Sequence, residues 1–366
     1  MKKYKIAFIG CGFAAEGAGT ANQKHMPSLA KMQDEVEMTA FCDIMQDKAV
    51  SAAHRYGTPD AKVYTDYTEL LKDESIDIVH VCTPNKSHAE ITIAALEAGK
   101  HVNCEKPMAK TSADARKMIA AARKSGKKLT IGYQYRFRAD AMYLCKLCRR
   151  GDLGEIYYAH ALALRRRAVP TWGVFLNEEE QGGGALIDIG THALDMTLWM
   201  MDNYKPKSVM GTTFKKFAGQ KETGNFFGDW DPAQFTVEDS AFGFIRMENG
   251  AAIYLEASWA INMLGTEEEK TILCGTKAGA DMKGGLRINY ADFGKLVVTK
   301  PAVLPGGVEV FDTPPSPPPG ELEAREWIKC IRNDTDPLVL PEQALLITQI
   351  LEAIYESAKT GKAVYF

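Results

Sequence analysis

A chain of 366 residues is too long for one small module, and at roughly 100–200 residues per domain it implies two domains or three. Hydrophobic residues at 46% and charged residues at 25% allow a sizeable core and exclude a disordered or collagen-like chain. Lys plus Arg is 44 against 47 for Asp plus Glu, a formal charge of −3, so no basic surplus points to nucleic acid.

The chain opens on basic residues, Met1-Lys2-Lys3-Tyr4-Lys5, like a signal peptide. The apolar run 6–9 that follows is too short for a signal segment and runs straight into glycines, so it reads as a first strand. Apolar stretches elsewhere are interrupted well short of the roughly 20 residues that a membrane span needs. A soluble, cytoplasmic protein is the expectation, with no membrane partner. The eight cysteines are scattered, and Cys11, Cys42, Cys82 and Cys104 fall at or near strand ends, which suits small buried thiols in a reducing compartment. Cys145 and Cys148 form a lone CxxC with no second pair and no nearby His. Two positions on a helix is the simpler reading, and no metal is expected.

To about residue 130 short apolar runs (6–9, 38–42, 78–82, 101–104 and 129–132) alternate with helical stretches at 47–56, 88–98 and 113–124. This is the pattern of βαβ units on a parallel sheet, with Gly99 and Gly126 where helices should stop.

The first run ends in Gly10-Cys11-Gly12-Phe13-Ala14-Ala15, a dinucleotide fingerprint with Ala in the third glycine position. Gly10 makes the tight turn, Gly12 lets backbone approach a pyrophosphate, and a small residue at 15 lets the next helix pack with its N-terminus toward the phosphates. Alone the motif also fits a glycine turn that binds nothing. Asp43 closes the second run, where a carboxylate accepts hydrogen bonds from the adenosine ribose and repels a 2′-phosphate, so NAD is favoured over NADP. Its distance from the glycines exceeds the usual spacing of about 20 residues, which an extended loop and helix at 16–31 accommodates. Two further turns stand at strand ends, where open α/β sheets bind ligands: Thr83-Pro84-Asn85-Lys86-Ser87-His88 and Glu105-Lys106-Pro107. A Lys before a Pro is held out of helical conformation, so its ammonium is aimed from a fixed backbone.

After residue 150 longer strand-like runs appear, at 156–164, 208–212, 240–247, 251–260, 270–274, 286–290 and 296–299. Short turns such as Glu248-Asn249-Gly250 join several of them, which suits a largely antiparallel sheet. Residues 313–320 hold five of the 16 prolines and form an extended connector before a helix at 321–331.

The most informative segment is Gly182-Gly183-Gly184-Ala185-Leu186-Ile187-Asp188-Ile189-Gly190-Thr191-His192. The glycines allow a close approach or a lid, and an apolar helix follows to Met201. Asp188 and His192, four apart, share one helix face, and polar groups on so apolar a helix need partners or a function. One imidazole with one carboxylate suits proton transfer better than zinc. Upstream, Arg165-Arg166-Arg167 and Trp172 lie on a loop. Trp172 fits either packing or stacking on a sugar ring, and the arginines fit either a solvated run or binding to hydroxyls or an anion. Tyr135 joins Arg166, Trp172, Asp188 and His192 as a substrate-side candidate.

Together these residues resemble the Gfo/Idh/MocA family of sugar and inositol oxidoreductases along essentially the whole chain. The marks are Gly10, Gly12 and Ala15, Asp43, Thr83-Pro84-Asn85 with His88, Glu105-Lys106-Pro107, and Asp188-Ile189-Gly190-Thr191-His192. The resemblance implies an α/β chain: a Rossmann dinucleotide-binding domain at 1–127 and, at 128–366, an α+β domain with a large, mostly antiparallel open sheet. It implies Lys106, Asp188 and His192 as the catalytic trio and Glu105 as a nicotinamide-ribose contact. Gly10, Gly12, Phe13, Ala14, Asp43, Thr83, Pro84, Asn85, His88, Glu105 and Lys106 are then the cofactor-side residues. It also implies a homo-oligomer (dimer, tetramer or hexamer) built through the second sheet, and a sugar or glycoside substrate. Segment 165–172 and Asp229-Trp230 are not general family marks; the run from Pro170 to Asp195 is most similar to members acting at C3 of glucose units in glycosides. The implied reaction is NAD-dependent oxidation of a secondary hydroxyl, with Lys106 and His192 handling the proton. An inositol dehydrogenase shares these motifs, and an NAD-dependent glycosidase working through a transient 3-keto sugar shares the fold. A non-enzymatic nucleotide sensor would have no reason to keep Lys106, Asp188 and His192 together.

Overall fold

The five apolar runs of the first half are strands, and a sixth strand joins them. In the computed structural model, which describes residues 3–12, 20–301 and 317–366, the chain divides into two compact units. One comprises residues 1–134 with 318–345, the other residues 135–317 with 346–366. Phe13, Ala14 and Ala15 of the glycine turn, and residues 313–316 of the proline-rich stretch, lie outside the described residues.

In the first unit, β1 (Tyr4–Ile9), β2 (Val36–Cys42), β3 (Lys62–Tyr64), β4 (Ile78–Val81), β5 (His101–Cys104) and β6 (Leu129–Ile131) form a parallel sheet in the order β3-β2-β1-β4-β5-β6. Strand order reverses between β1 and β4, which opens a crevice at their C-terminal ends. All four residues of β4, Ile-Val-His-Val, are buried, as in a parallel strand covered on both faces. β3 escapes a search for apolar runs because it is three half-exposed or exposed residues at the sheet edge. The helix Asn85–Glu97 starts earlier than expected because Pro84 stands at its N-cap. The helix Ser112–Ser125 is capped by Thr111, whose hydroxyl accepts from the Asp114 amide at 3.1 Å, and it ends at Gly126 with φ 66°.

The boundary expected at 127/128 needs correcting for the C-terminal part of the chain. The helix Pro319–Asn333 follows the second sheet in sequence but belongs to the first unit. Its apolar face, Ala324, Trp327, Ile328 and Ile331, is buried in one core with Ile6, Phe8, Met26, Leu29 and Phe41, and burying that face outweighs sequence proximity.

The second unit holds β7 (Ile156–Leu164), β8 (Pro206–Phe214), β9 (Ser240–Met247), β10 (Ala252–Ser258), β11 (Glu268–Gly275), β12 (Ala278–Asp281), β13 (Arg287–Asp292), β14 (Lys295–Thr299) and β15 (Val364–Tyr365). They form one sheet in the order β14-β13-β12-β11-β7-β10-β9-β8-β15, antiparallel except where β10 runs parallel to β7. β12 reads Ala-Gly-Ala-Asp and carries no strand propensity of its own; pairing with β11 and β13 makes it a strand. The apolar helix Thr191–Met201 packs on β7 and β11, where Thr197 Oγ1 lies 2.8 Å from Thr271 Oγ1. No helix among the described residues is long and apolar enough to cross a membrane, and the eight cysteines are free thiols.

Candidate active site

The glycine turn after β1 is built for close backbone approach. Gly10 has φ +87°, and a Cβ there would lie 2.7 Å from the carbonyl carbon and oxygen of Cys82; Gly12 has φ 64°. Both lie in the positive-φ region that favours glycine. Asp43, just past β2, braces this turn: its Oδ2 accepts from the Cys11 amide at 2.9 Å and its Oδ1 from the Met45 amide at 3.0 Å. Thr83, Pro84 and Asn85 form the turn from β4 into its helix, with the Ser87 hydroxyl donating to Thr83 Oγ1 at 2.9 Å. His88 is engaged within the protein: Nδ1 lies 2.8 Å from the Pro107 carbonyl and Nε2 2.9 Å from that of Thr83. Burial lowers its pKa against the pull of the two carbonyls, and the ring ties the two loops together.

Glu105 is buried beside Lys24 and His25. Its Oε1 accepts from Lys24 Nζ at 2.6 Å and from His25 Nε2 at 2.7 Å, and its Oε2 accepts from the Lys106 amide at 3.2 Å. Burial pushes the carboxyl up, but the Lys24 and His25 contacts outweigh it and hold it well below the usual carboxylate range. Lys24 also pairs with Glu323 at 3.2 Å. Gly132 leaves room for this cluster, since a Cβ there would stand 2.8 Å from Glu105 Oε1. Lys106, half-buried, follows directly, at a cis peptide bond to Pro107.

In the second unit the segment expected to be a plain helix begins with one π-turn, Leu186–Gly190, before the α-helix Thr191–Met201. Such turns recur at functional sites because they shift side chains off the α-helical register. Asp188 lies in this turn, half-buried, and its Oδ2 accepts from the Trp259 indole at 3.0 Å. His192 is buried in the first turn of the α-helix, and Tyr135 meets its ring edge-to-face with centroids 4.6 Å apart. The glycines upstream serve a close approach. A Cβ on Gly183 would overlap the Tyr355 hydroxyl, and one on Gly184 the Glu238 carbonyl. Glu238 anchors the π-turn by accepting from the Gly184 amide at 2.8 Å, the Leu186 amide at 3.0 Å and the Tyr355 hydroxyl at 2.9 Å.

The arginine run divides three ways. Arg165 forms a two-pronged pair with Glu268, Arg167 lies over the Phe217 ring at 4.2 Å, and Arg166 is exposed. Trp172 is 44% exposed and touches Phe175 and Phe227 edge-on. Sequence reasoning missed Lys24, His25, Glu238, Trp259 and Glu269. A polar Lys-His pair opening an apolar helical stretch was the one available signal; Glu269 ends the acidic run 267–269, just before the strand expected at 270–274. Among the described residues no group of His, Cys, Asp and Glu is placed to hold a metal ion.

Residues 4–133 match an oxidoreductase family with an NAD-binding Rossmann fold, and residues 146–366 match the C-terminal alpha/beta domain of the same family. The chain belongs to the Gfo/Idh/MocA oxidoreductase family. It is similar to the D-glucoside 3-dehydrogenase of Escherichia coli strain K12, 39% identical over 349 residues that cover 95% of each chain. It is also similar to an inositol 2-dehydrogenase of Salmonella paratyphi B, 31% identical over 195 residues, 53% of this chain and 55% of the relative. A solved structure of aldose-aldose oxidoreductase from Caulobacter crescentus, complexed with glycerol, superimposes with a TM-score of 0.80 at 25% identity, covering 100% of both chains. This family member is therefore an oxidoreductase whose first unit is an NAD-binding Rossmann domain.

Proposed function

We propose that this chain is an NAD-dependent dehydrogenase that oxidises a secondary hydroxyl, at C3, of a sugar or glucoside. The observation that carries the reading is the 39% identity to a D-glucoside 3-dehydrogenase across 95% of the chain. The Asp188 and His192 pair on the π-turn and the helix behind it supports it. The similarity to an inositol dehydrogenase covers only about half of either protein, so a glucoside is the preferred substrate.

The turn residues fit a dinucleotide: Gly10 and Gly12 present bare backbone at positive φ at the end of β1, and Asp43 stands where a carboxylate meets the adenosine ribose. Asp43 carries the expected preference for NAD over NADP through its negative charge. When bound, NAD supplies the carbon that accepts the hydride. The protein handles the proton. His192, whose unperturbed pKa of about 6.5 leaves an imidazole neutral near physiological pH, accepts it from the substrate hydroxyl. Lys106 donates a hydrogen bond to the reacting oxygen, and Asp188, its Oδ2 held by Trp259, accepts from a neighbouring hydroxyl. Glu105, with Lys24 and His25 around it, keeps a fixed negative charge on the nicotinamide-ribose side. Tyr135, Arg166 and Trp172 bind the sugar and its aglycone, and the protein acts as a cytoplasmic homo-oligomer through the second sheet.

The test mixes near-stoichiometric protein and NAD with hexoses, inositols and several glucosides, reading reduced-nicotinamide absorbance and product masses together. A product two hydrogens lighter from glucosides or hexoses is the expected result. The same loss from inositols alone assigns an inositol dehydrogenase, and released aglycone without lasting reduction assigns a glycosidase. Lys106→Ala and His192→Ala variants that both keep full turnover would overturn the residue roles.

A further inference from the structure

Five non-glycine residues among the described ones have positive φ: Asp202, Glu222, Glu269, Phe293 and Asp334. Asp202 and Asp334 end helices, Glu222 lies in a loop, and Phe293 makes the turn between β13 and β14. Glu269 alone lies inside a strand, at φ 55°. Opposite it, Glu268 pairs with Ala163 and Lys270 with the adjacent Leu162, so Glu269 is the extra residue of a β-bulge. Bulges re-aim side chains and gather next to active sites, and a non-glycine residue persists in this conformation only where its surroundings over-determine it.

The surroundings do so here. Arg138 Nη1 donates to the Glu269 backbone carbonyl at 2.9 Å and lies 4.0 Å from the Glu269 carboxylate. The neighbouring Glu268 is taken up by Arg165, and the Glu269 carboxylate lies beside the Tyr135 hydroxyl. Tyr135 in turn meets the His192 ring at 4.6 Å.

We infer that Glu269 is a positioning residue for the dehydrogenase reaction: in its ionised form it fixes Tyr135, and through Tyr135 the His192 imidazole that accepts the substrate proton. The inference rests on the reading of His192 as the base. No proton passes to Glu269 in the reaction: the substrate O–H bond breaks with its proton going to His192, the O–H electron pair becomes the second bond of the new C=O, and the C–H pair leaves as hydride, which a bound nicotinamide would accept. Burial first, and then the Glu268 charge, push the Glu269 carboxyl up to about 7, against the Tyr135 hydrogen bond and the cations Arg138 and Arg165. The other charged or titratable groups around it are Asp140, paired with Arg138, Asp188, near Arg165, and His192, against Tyr135. On this proposal turnover needs Glu269 ionised, as the charged acceptor that holds Tyr135, and His192 neutral, as the base.

Two readouts test this. Without substrate, proton NMR of the seven histidines, with His192 assigned by its loss in His192→Asn, follows the His192 ring against pH. Wild-type protein shows a second inflection from Glu269, and both Glu269→Gln and Tyr135→Phe remove it. With methyl β-D-glucopyranoside and NAD, the acid limb of log kcat/KM against pH has a slope of about two in wild type and about one in Glu269→Gln, where one titrating group is gone. If no glucoside is turned over, the proposed function fails while the NMR arm still decides on Glu269. If glucosides are turned over and both variants keep the wild-type inflection and slope, the inference on Glu269 is overturned while the function stands. Should Glu269→Gln fail to fold, Tyr135→Phe, which removes only the hydroxyl, gives the same two readouts.

Discussion

Trp259 donates its indole N–H to Asp188 Oδ2 at 3.0 Å, joining the residue just past β10 to the π-turn 71 positions earlier in the chain. The indole is fully buried and the carboxylate half-buried, so the bond fixes one oxygen of Asp188 while the side chain keeps access to solvent. A charge-assisted bond of this kind sets the direction of the carboxylate as well as its energy.

Replacing Trp259 with Phe keeps an aromatic ring in the core but removes the donor. Turnover of the glucoside is expected to fall about tenfold in kcat/KM, equivalent to about 1.4 kcal/mol. Steady-state kinetics beside urea unfolding checks this. Unchanged kinetics with lowered stability would make Trp259 a packing residue only.

Arg136 and Asp195 form a two-pronged pair with side chains only 0% and 1% exposed, at 2.9 Å from Nε to Oδ2 and 2.5 Å from Nη2 to Oδ1. Removing one partner strands the other charge away from water, so Asp195→Asn is expected to cost about 3–5 kcal/mol. Replacing both residues with apolar side chains of similar volume should recover most of that loss. Urea midpoints of the single and double variants decide it; additive losses would contradict the pairing.

At Gly10 a methyl group collides with backbone of the neighbouring turn, 2.7 Å from Cys82 and 2.8 Å from Thr83. Because backbone cannot swing aside as a flexible side chain can, Gly10→Ala should strain the turn by about 1–3 kcal/mol and weaken NAD binding by about tenfold or more. Calorimetric titration with NAD measures the second effect, and thermal unfolding the first.

Glu105 supplies a pH dependence whose sign can be worked out. Its carboxyl is held well below the usual range in the folded protein because Lys24 and His25 outweigh burial. The unfolded chain therefore takes up the proton first as pH falls through the ordinary glutamate value of about 4.3. The stabilisation is fully present above that pH and is lost progressively below it. Urea midpoints of wild type and Glu105→Gln should differ most near neutral pH and converge as pH drops below about 4. A difference independent of pH would show that Glu105 is not held as a carboxylate.

Local pattern determined a large part of this protein. The short, largely apolar runs that became β1, β2, β4, β5 and β6, with glycine at the turn after β1 and Asp43 after β2, could be read directly, because a parallel strand buried on both faces leaves its mark in consecutive residues. The polar pair Asp188 and His192 stood out for the same reason, as an exception within an apolar helix. Tertiary structure alone decided the rest. β3 and β12 are strands because neighbours pair with them. The helix Pro319–Asn333 belongs to the first unit because its apolar face completes that core. The partners that hold the candidate groups, Trp259 on Asp188, Lys24 and His25 on Glu105, and Tyr135 between Glu269 and His192, lie up to 134 residues away in sequence. Hydrogen bonds and ring contacts depend on separation in space, and sequence spacing encodes that separation only within a single helix or strand.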